Sequence, residues 1–418
     1  KKKIKKLKEI CNKFRIKCSV IGRVKNDKMM HVKQGRKTLA LLPADFVARA
    51  PLLDRKQSKP KYLQKIKTFK NSKNISNYSK IILKLLSSPN IASKHWVFRQ
   101  YDHEVGIRTV IKPGFDASVL RLDNGKYLSV KIDGNPKHCY LNPRDGAIGC
   151  FEEACRNVVC TGATPIGMVD HLQFGNPEDP EIFWTFMESL EGLTNFAKFL
   201  KIPCVGGKVS FYNETPSGPI KPTPLIGVLG IINKEPLHPV PPKSGDYLVI
   251  VGSTKNELGG SEYFEYIDDF IGGICPTVDF KSSKLNMLTV LSLIKQDLIK
   301  SVHDCAKGGI SIAVSEMSIF GGIGCNIDIG KAPSEKNLHS EQLLFSESHS
   351  RYLLVVTKKN IKKVRQILTK KKNHFDVLGS FTGDQISIKH KSENLVKVNV
   401  DTAQRKYFNT LKEILDNG

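Results

Sequence analysis

The sequence predicts an α/β fold of the mixed, α+β kind, and three observations carry that prediction. Residues 161–215 read strand, turn, helix, strand. Ile166–Leu172 suits a short, largely buried strand, and Gly175-Asn176-Pro177 is a turn signal. Ile182, Phe183, Phe186, Leu190, Leu193, Phe196 and Leu200 then recur at helical spacing, and Ile202–Val205 is a second strand, stopped by Gly206-Gly207. The second observation is size: 418 residues, 40% of them hydrophobic and 32 of them glycine, can form two or three domains with separate cores. The third is a repeat, because residues 4–31 align without a gap on residues 361–388.

The chain opens on Lys1 with a basic amphipathic helix in which Ile4, Leu7, Ile10 and Cys11 share one face. Alone, such a helix suits a membrane surface. Its twin argues otherwise. The four positions match Ile361, Val364, Ile367 and Leu368, and Val20-Ile21-Gly22 matches Val377-Leu378-Gly379 as the strand that follows. Each copy reads helix, strand, turn, strand, so the first helix is expected to be a domain element. The second copy closes a domain begun well upstream, whereas nothing precedes the first. The expectation is that a homologous half belongs in front of it.

Residues 51–77 read as a linker, with Pro51, Pro60, many lysines and little periodicity. A short helix over Ser79–Leu86 follows, then strands at Val119–Leu122 and Tyr127–Ile132. Asn142-Pro143 supplies a cap and a first-turn proline for a helix that buries Ile148, Phe151, Cys155, Val158 and Val159 and ends at Gly162. After Pro239-Val240-Pro241-Pro242 a second α/β unit starts at Tyr247–Val251. Gly259-Gly260 opens a helix there, Leu285–Leu298 is a longer one, and Asn394–Asn417 adds a strand and a terminal helix.

The net charge of +25 raises the question of nucleic acid. Yet the 52 lysines far outnumber the 13 arginines and are spread through almost every segment, without RNA-binding aromatic signatures, so solvated faces explain them and no nucleic-acid partner is expected. No apolar run is long enough to span a membrane, and no signal-peptide core is present. The ten cysteines include no Cys-x-x-Cys pair, and Cys150, Cys155 and Cys160 step around a helix instead of grouping as metal ligands. Reduced thiols and a cytoplasmic location are expected.

Chemistry concentrates at few places. Asp170 lies near the end of one strand and Gly206-Gly207 follows the next; glycines admit a phosphate to the backbone, and a carboxylate can hold a cation or a ribose. An ordinary tight turn explains the same residues. Gly308-Gly309 leads into the helical run Ile310–Met317, where helix-start N–H groups could receive a phosphate or the glycines could serve close packing. His138 and His303 are chemically able to act as bases, although satisfied structural histidines are commoner.

The wording of these stretches adds a resemblance. VDHLQFGNPEDPEIFW and VGGKVSFYNET resemble the second half of the phosphoribosylformylglycinamidine synthase family, ATP-dependent amidine synthases of purine biosynthesis within the AIR synthase-related superfamily. SSPNIASKHWVFRQYDHEV, KIDGNPKHCYLNPRDGA, ELGGSEY, HDCAKGGISIAVSEM and LFSESHSR extend it along the chain in matching order.

The resemblance implies an AIR synthase-like N-terminal, ATP-binding domain over 78–235 and a C-terminal domain over 236–418, with residues 1–50 as the tail of a preceding homologous half. It places ATP contacts at Asp170 and Gly207 and a substrate contact at Ser210. Lys208 stands where the family usually has a magnesium-binding Asn; a charged lysine cannot coordinate a cation, but an ammonium beside a phosphate replaces part of the positive charge. Glu347 and Arg351 occupy a position pseudo-symmetric to a substrate segment, with a domain-locking ion pair as the plainer reading. Lys131, Asp133 and Asn135 are the counterpart of a motif whose catalytic histidine is expected in the preceding half, so no catalytic residue is assigned in this chain.

The implied cofactors are ATP and Mg2+, and the implied partners a glutaminase subunit and a small bridging subunit. The implied reaction makes formylglycinamidine ribonucleotide from formylglycinamide ribonucleotide and ammonia through an iminophosphate. The alternatives are another ATP-using relative such as aminoimidazole ribonucleotide synthetase, whose chains carry a single half, and a basic nucleic-acid-binding protein.

Overall fold

The computed structural model describes residues 2–49, 54–66 and 77–416. Two compact units divide the chain, Lys1–Asp54 and Arg55–Gly418. The first holds helix α1 (Lys2–Lys13), an antiparallel hairpin of β1 (Met29–Gln34) and β2 (Lys37–Pro43), and the single turn α2 (Ala44–Ala48). The strand expected at Val20-Ile21-Gly22 does not form: residues 16–25 carry no regular structure. A strand exists only when neighbours take its N–H and C=O groups, and no strand pairs with this segment among the described residues.

In the second unit, part of the expected linker is ordered. Residues 54–66 include α3 (Tyr62–Ile66), bury Pro60 and Leu63, and stack the Tyr62 ring on Tyr140 at 4.3 Å. The rest of that stretch, 51–53 and 67–76, lies outside the described residues. Next come α4 (Tyr78–Leu86), capped by the Asn77 side chain, and α5 (His95–Phe98).

The N-terminal domain is a six-stranded sheet in the order β3-β4-β5-β10-β6-β7. Its members are β3 (Thr109–Ile111), β4 (Ser118–Arg121), β5 (Tyr127–Asp133), β6 (Thr164–Gln173), β7 (Cys204–Ser210) and β10 (Thr223–Ile232), with a small ribbon of β8 (Glu214–Thr215) and β9 (Gly218–Pro219). Helices α6 (Pro136–Leu141), α7 (Pro143–Cys160) and α8 (Pro180–Leu200) accompany it. The α8 helix carries the chain from β6 to β7, which run parallel, as a strand–helix–strand crossover requires.

Two local expectations need correction. β6 is only half buried, with Ile166 49% and Val169 37% exposed, because one sheet face is uncovered in this structure. β7 does not stop at Gly206-Gly207 but runs through them to Ser210, held by its register with β6.

The C-terminal domain is a seven-stranded sheet, β12-β14-β11-β15-β13-β16-β17. These are β11 (Tyr247–Val251), β12 (Ser301–Asp304), β13 (Cys325–Asp328), β14 (Tyr352–Val356), β15 (Phe375–Phe381), β16 (Gln385–His390) and β17 (Glu393–Asn399). Its helices are α9 (Glu262–Asp268), α10 (Phe280–Lys295), α11 (Gly309–Gly321), α12 (Ser340–Phe345), α13 (Ile361–Lys370) and α14 (Val400–Asp416). The expected helix at Gly259-Gly260 starts later, at Glu262, where the Ser261 hydroxyl caps it.

α7 is buried on nearly every side, its polar residues Glu152, Glu153, Arg156 and Asn157 included. Phe151 and Val158 share one apolar core with Val249 and Leu354 of the C-terminal sheet, and the helix thereby joins the two domains. Cys150, Cys155 and Cys160 are buried free thiols in that packing. A second core covers the other face of the C-terminal sheet with α4, α9, α11 and α14. No helix among the described residues is long and apolar enough to cross a membrane.

Candidate functional site

Parallel pairing of β6 with β7 sets Asp170 opposite Gly207, His171 opposite Lys208 and Gln173 opposite Ser210. β7 is the last strand of the sheet, and Cys204–Val209 are exposed. Side chains alternate across a strand, so Asp170 and position 207 face the α8 side while Lys208 and Ser210 face the other. The site expected from sequence is therefore one edge strand seen from both faces.

Gly207 lies close against the Asp170 carboxylate, which a side chain there would have to displace. A Cβ there would stand 2.9 Å from Asp170 Cγ and closer still to Oδ1. Asp170 is half buried, burial pushes its carboxyl pKa up, and its side-chain partner is the Cys204 thiol at 3.7 Å. Ser210 is held by the turn that follows. Asn213 Nδ2 donates to the carbonyls of Ser210 at 2.8 Å and Phe174 at 2.9 Å, and the Ser210 hydroxyl lies 3.3 Å from Asn213 Oδ1. Lys208 is exposed.

The other sequence candidates gather elsewhere, between the two domains, and there the expectations change. Gly308 takes φ +75° and donates its N–H to Glu347 Oε1 at 2.9 Å, so the protein's own carboxylate already meets this amide instead of a phosphate. At Gly309 a Cβ would press 2.6 Å from the Leu344 carbonyl, which is a packing demand. Glu347 and Arg351 do not form an ion pair. Glu347 also accepts from the Glu262 N–H at 2.8 Å and sits 3.5 Å from His138 Nε2. Arg351, fully buried, donates to the carbonyls of Ser346 (2.6 Å) and Ser348 (2.8 Å) and to Thr254 Oγ1 (3.0 Å). Burial alone would raise the Glu347 carboxyl, but His138, Lys137 and the Gly308 N–H hold it below its ordinary value.

Asn135 caps α6, its side chain accepting from the His138 N–H at 3.1 Å. His303 is clamped, Nδ1 to Asp116 and Nε2 to Glu316, both at 3.0 Å. Burial opposes its charge, yet these two carboxylates hold it protonated well above the usual range, so it has no free nitrogen for general-base work.

Sequence reasoning missed most of this cluster. Arg156, fully buried, pairs with Glu152 one turn earlier and with Asp304 at 3.2 Å; Asn157 donates to Asp304 at 3.1 Å. Lys307 lies 3.7 Å from Asp133 and 3.8 Å from Glu153. Burial, together with Glu153, pushes the Asp133 carboxyl up to about 8. The available signal was the run Glu152, Glu153, Arg156 and Asn157, with opposite charges four apart, inside a helix whose apolar residues already predict burial. Ligand atoms of Asp116, His303 and Asp304 lie within 4.8 Å of one another, but protein cations and hydrogen bonds already occupy them. Beside them a cavity of about 240 Å³ is lined by Lys131, Asp116, Lys307, Phe115 and Phe320.

The AIR synthase related protein N-terminal domain matches residues 114–232, and the corresponding C-terminal domain matches residues 243–391. The chain belongs to the AIR synthase related family. Among its relatives, a protein of Thermococcus sibiricus named "Phosphoribosylformylglycinamidine synthase subunit PurL" is 38% identical over 417 residues, 99% of this chain and 57% of the relative. One of the same name from Methanobrevibacter smithii is 40% identical over 388 residues, covering 91% of this chain and 53% of the relative. The chain thus spans little more than half the length of these relatives. Solved structures of T. maritima PurL complexed with ADP and with FGAR each superpose with a TM-score of 0.64 at 18% identity, over 78% and 79% of this chain and 52% and 54% of theirs. At that identity they establish the AIR synthase related fold.

Proposed function

We propose that this chain supplies the second-half, nucleotide-binding part of a phosphoribosylformylglycinamidine synthase. The observation that carries the reading is the Asp170–Gly207 pairing at an open sheet edge, with Ser210 at the end of the same strand. A carboxylate and bare glycine backbone on one face, and a cation and a hydroxyl on the other, suit ATP on one side and the substrate amide beside it. In this reading ATP phosphorylates the amide oxygen of formylglycinamide ribonucleotide, and ammonia displaces phosphate from the iminophosphate. Positioning and charge stabilisation are the protein's main contributions to such a transfer.

Relatives of nearly twice this length, and the internal repeat, support a catalytic base supplied by residues outside this sequence. A glutaminase subunit and a small bridging subunit delivering ammonia complete the proposal. Magnesium does not fit at position 208: Lys208 cannot ligate it, and the residue beside it in register is His171. No step is therefore derived through a metal at that position, and Lys208 is assigned to the nucleotide phosphates by charge.

Titration calorimetry with ATP tests the binding half, with Asp170→Ala expected to abolish the heat. Phosphate release from ATP, substrate and ammonium tests the other half. Turnover by this chain alone at about 1 per second or more would show that the missing catalytic base is not needed.

A further inference from the structure

Helices α1 and α13, the twins of the repeat, end in the same backbone turn. After α1 the chain turns left-handed at Arg15 (φ 55°), and the N–H groups of Arg15 and Ile16 return to the carbonyls of Asn12 (3.0 Å) and Cys11 (2.8 Å). After α13, Lys372 (φ 61°) and Asn373 return to Thr369 (3.0 Å) and Leu368 (3.1 Å). This double closure turns the chain back over the last helical turn. In the second copy, the turn brings Phe375 to the same apolar core as Leu368. The matching pair in the first copy is Cys18 and Cys11. Burial points to the same pair independently. Among residues 3–28 every side chain is exposed except Cys11 and Cys18, which are half-buried. The two thiols lie within hydrogen-bonding reach of each other. Desolvation first, then the adjoining Cys18 thiol, pushes the Cys11 thiol above its ordinary value.

We propose that Cys11 and Cys18 form a redox modification site, a dithiol that a small-molecule disulfide oxidises to an intramolecular disulfide. The bond closes the loop over residues 11–18 and pins the end of α1 to the segment that follows it. One protein thiolate attacks a sulfur of the oxidant, forms a mixed disulfide with it and releases one small thiol. The second protein sulfur then displaces the remaining half of the oxidant. The protein pair thus loses two electrons and two protons, and the oxidant leaves as two thiols. The thiolate is the reactive form, so the exchange quickens as pH rises. The other cysteines are placed differently. Cys204 is exposed and its side-chain partner is the Asp170 carboxylate. Cys139 and Cys150 also adjoin each other, but both are buried, where an oxidant does not reach them.

The experiment is incubation of the full chain with oxidised glutathione in mild alkali, then an acid quench, tryptic digestion without reduction, and mass spectrometry. Lys13, Arg15 and Lys17 separate the two cysteines, so the bond joins two peptides, residues 9–13 and 18–23. Expected is that linked pair as the main product from Cys11 and Cys18, with Cys204 recovered as a glutathione adduct. Linking should be slower by about tenfold or more in concentrated urea, where only random closure of the loop brings the thiols together. Cys18→Ser should leave Cys11 as a glutathione adduct, because the second displacement has no sulfur to perform it. Recovery of Cys11 and Cys18 as separate adducts or as free thiols would overturn the proposal. So would linking as fast in urea as in the folded chain, since the fold would then not be what pairs them.

Discussion

Asp170 at the sheet edge has one side-chain hydrogen-bond partner, a thiol at 3.7 Å, whereas Glu347 between the domains takes two backbone N–H groups at 2.8 and 2.9 Å. The contrast holds for their surroundings. Around Glu347, Arg156, His303 and Lys307, most charges meet an opposite charge or a backbone group. Glu347 and Arg156 are buried and His303 and Lys307 half-buried, while Asp133 Oδ2, His138 Nε2 and Arg156 Nε are left without a hydrogen-bond partner. Along β7 the polar side chains are half buried or exposed: Cys204 meets Asp170, Ser210 meets Asn213, and Lys208 is exposed. Buried polar groups must be matched within the protein, since each unmatched one costs about 1–3 kcal/mol. A site kept for a ligand leaves its groups unmatched at the surface, where water holds them until the ligand arrives. By that criterion the matched charges of the inter-domain cluster hold the fold, and the edge is the surface proposed for recognition.

The largest expected effect tests the first half of that contrast. Arg156→Ala leaves Glu152 and Asp304 buried without their cation and should lose about 3–5 kcal/mol in a urea titration. A loss under about 1 kcal/mol would mean that these charges are better solvated than their burial shows. Next in size, Lys208→Ala should weaken ATP binding by about 1–3 kcal/mol with no change in the urea midpoint. Lys208→Asn should recover affinity only as magnesium is raised. Unchanged affinity in Lys208→Ala would make the lysine part of the general solvated surface.

A smaller effect is a pH dependence confined to the buried cluster. Unfolded, Asp133 releases its proton near the ordinary carboxylate value; folded, it keeps it up to about 8. Between those values the native state binds the extra proton, so stability falls as pH rises. Glu153, held below its ordinary value chiefly by Lys307 and Arg156 against the opposing effect of burial, acts the other way, losing its contribution as pH falls through the acid range. Asp133→Asn should remove the alkaline-side loss and leave the acid limb intact, as read from urea titrations at several pH values. A wild-type curve flat between about pH 4 and 8 would contradict this assignment. The smallest change expected is in Asp170→Asn, whose thermal midpoint should move by no more than about 0.5 kcal/mol equivalent. A cost several times larger would place Asp170 among the structural groups.

How much of this the sequence disclosed follows from which interactions are local. Helices α4, α7, α8 and α14 were legible because spacing and caps such as Asn142-Pro143 are local signals. The parallel β6–α8–β7 unit followed from the same patterns. The repeat shows where local signals fail. In the second copy, Val364 and Leu368 are fully buried and Val377-Leu378-Gly379 pairs with β11. In the first, the helix forms but Leu7 is 52% exposed and Val20-Ile21-Gly22 is not a strand. A helix satisfies its own backbone; a strand depends on chain segments far away. The buried cluster was illegible for a related reason. Asp116, Asp133, Arg156, Asp304 and Glu347 are scattered along the sequence, and only the docking of α7 between the domains assembles them.

The contact between position 207 and Asp170 also constrains how this edge can change over generations. A side chain at 207 would push the carboxylate from its present position, whereas shortening residue 170 removes the obstacle. Substitutions at 207 are therefore easier after one at 170 than before it. Strong coupling in a double-mutant cycle would express the same asymmetry: Gly207→Ala should be damaging alone and nearly silent beside Asp170→Ala. A lineage that keeps the carboxylate in this position thereby favours the glycine as well.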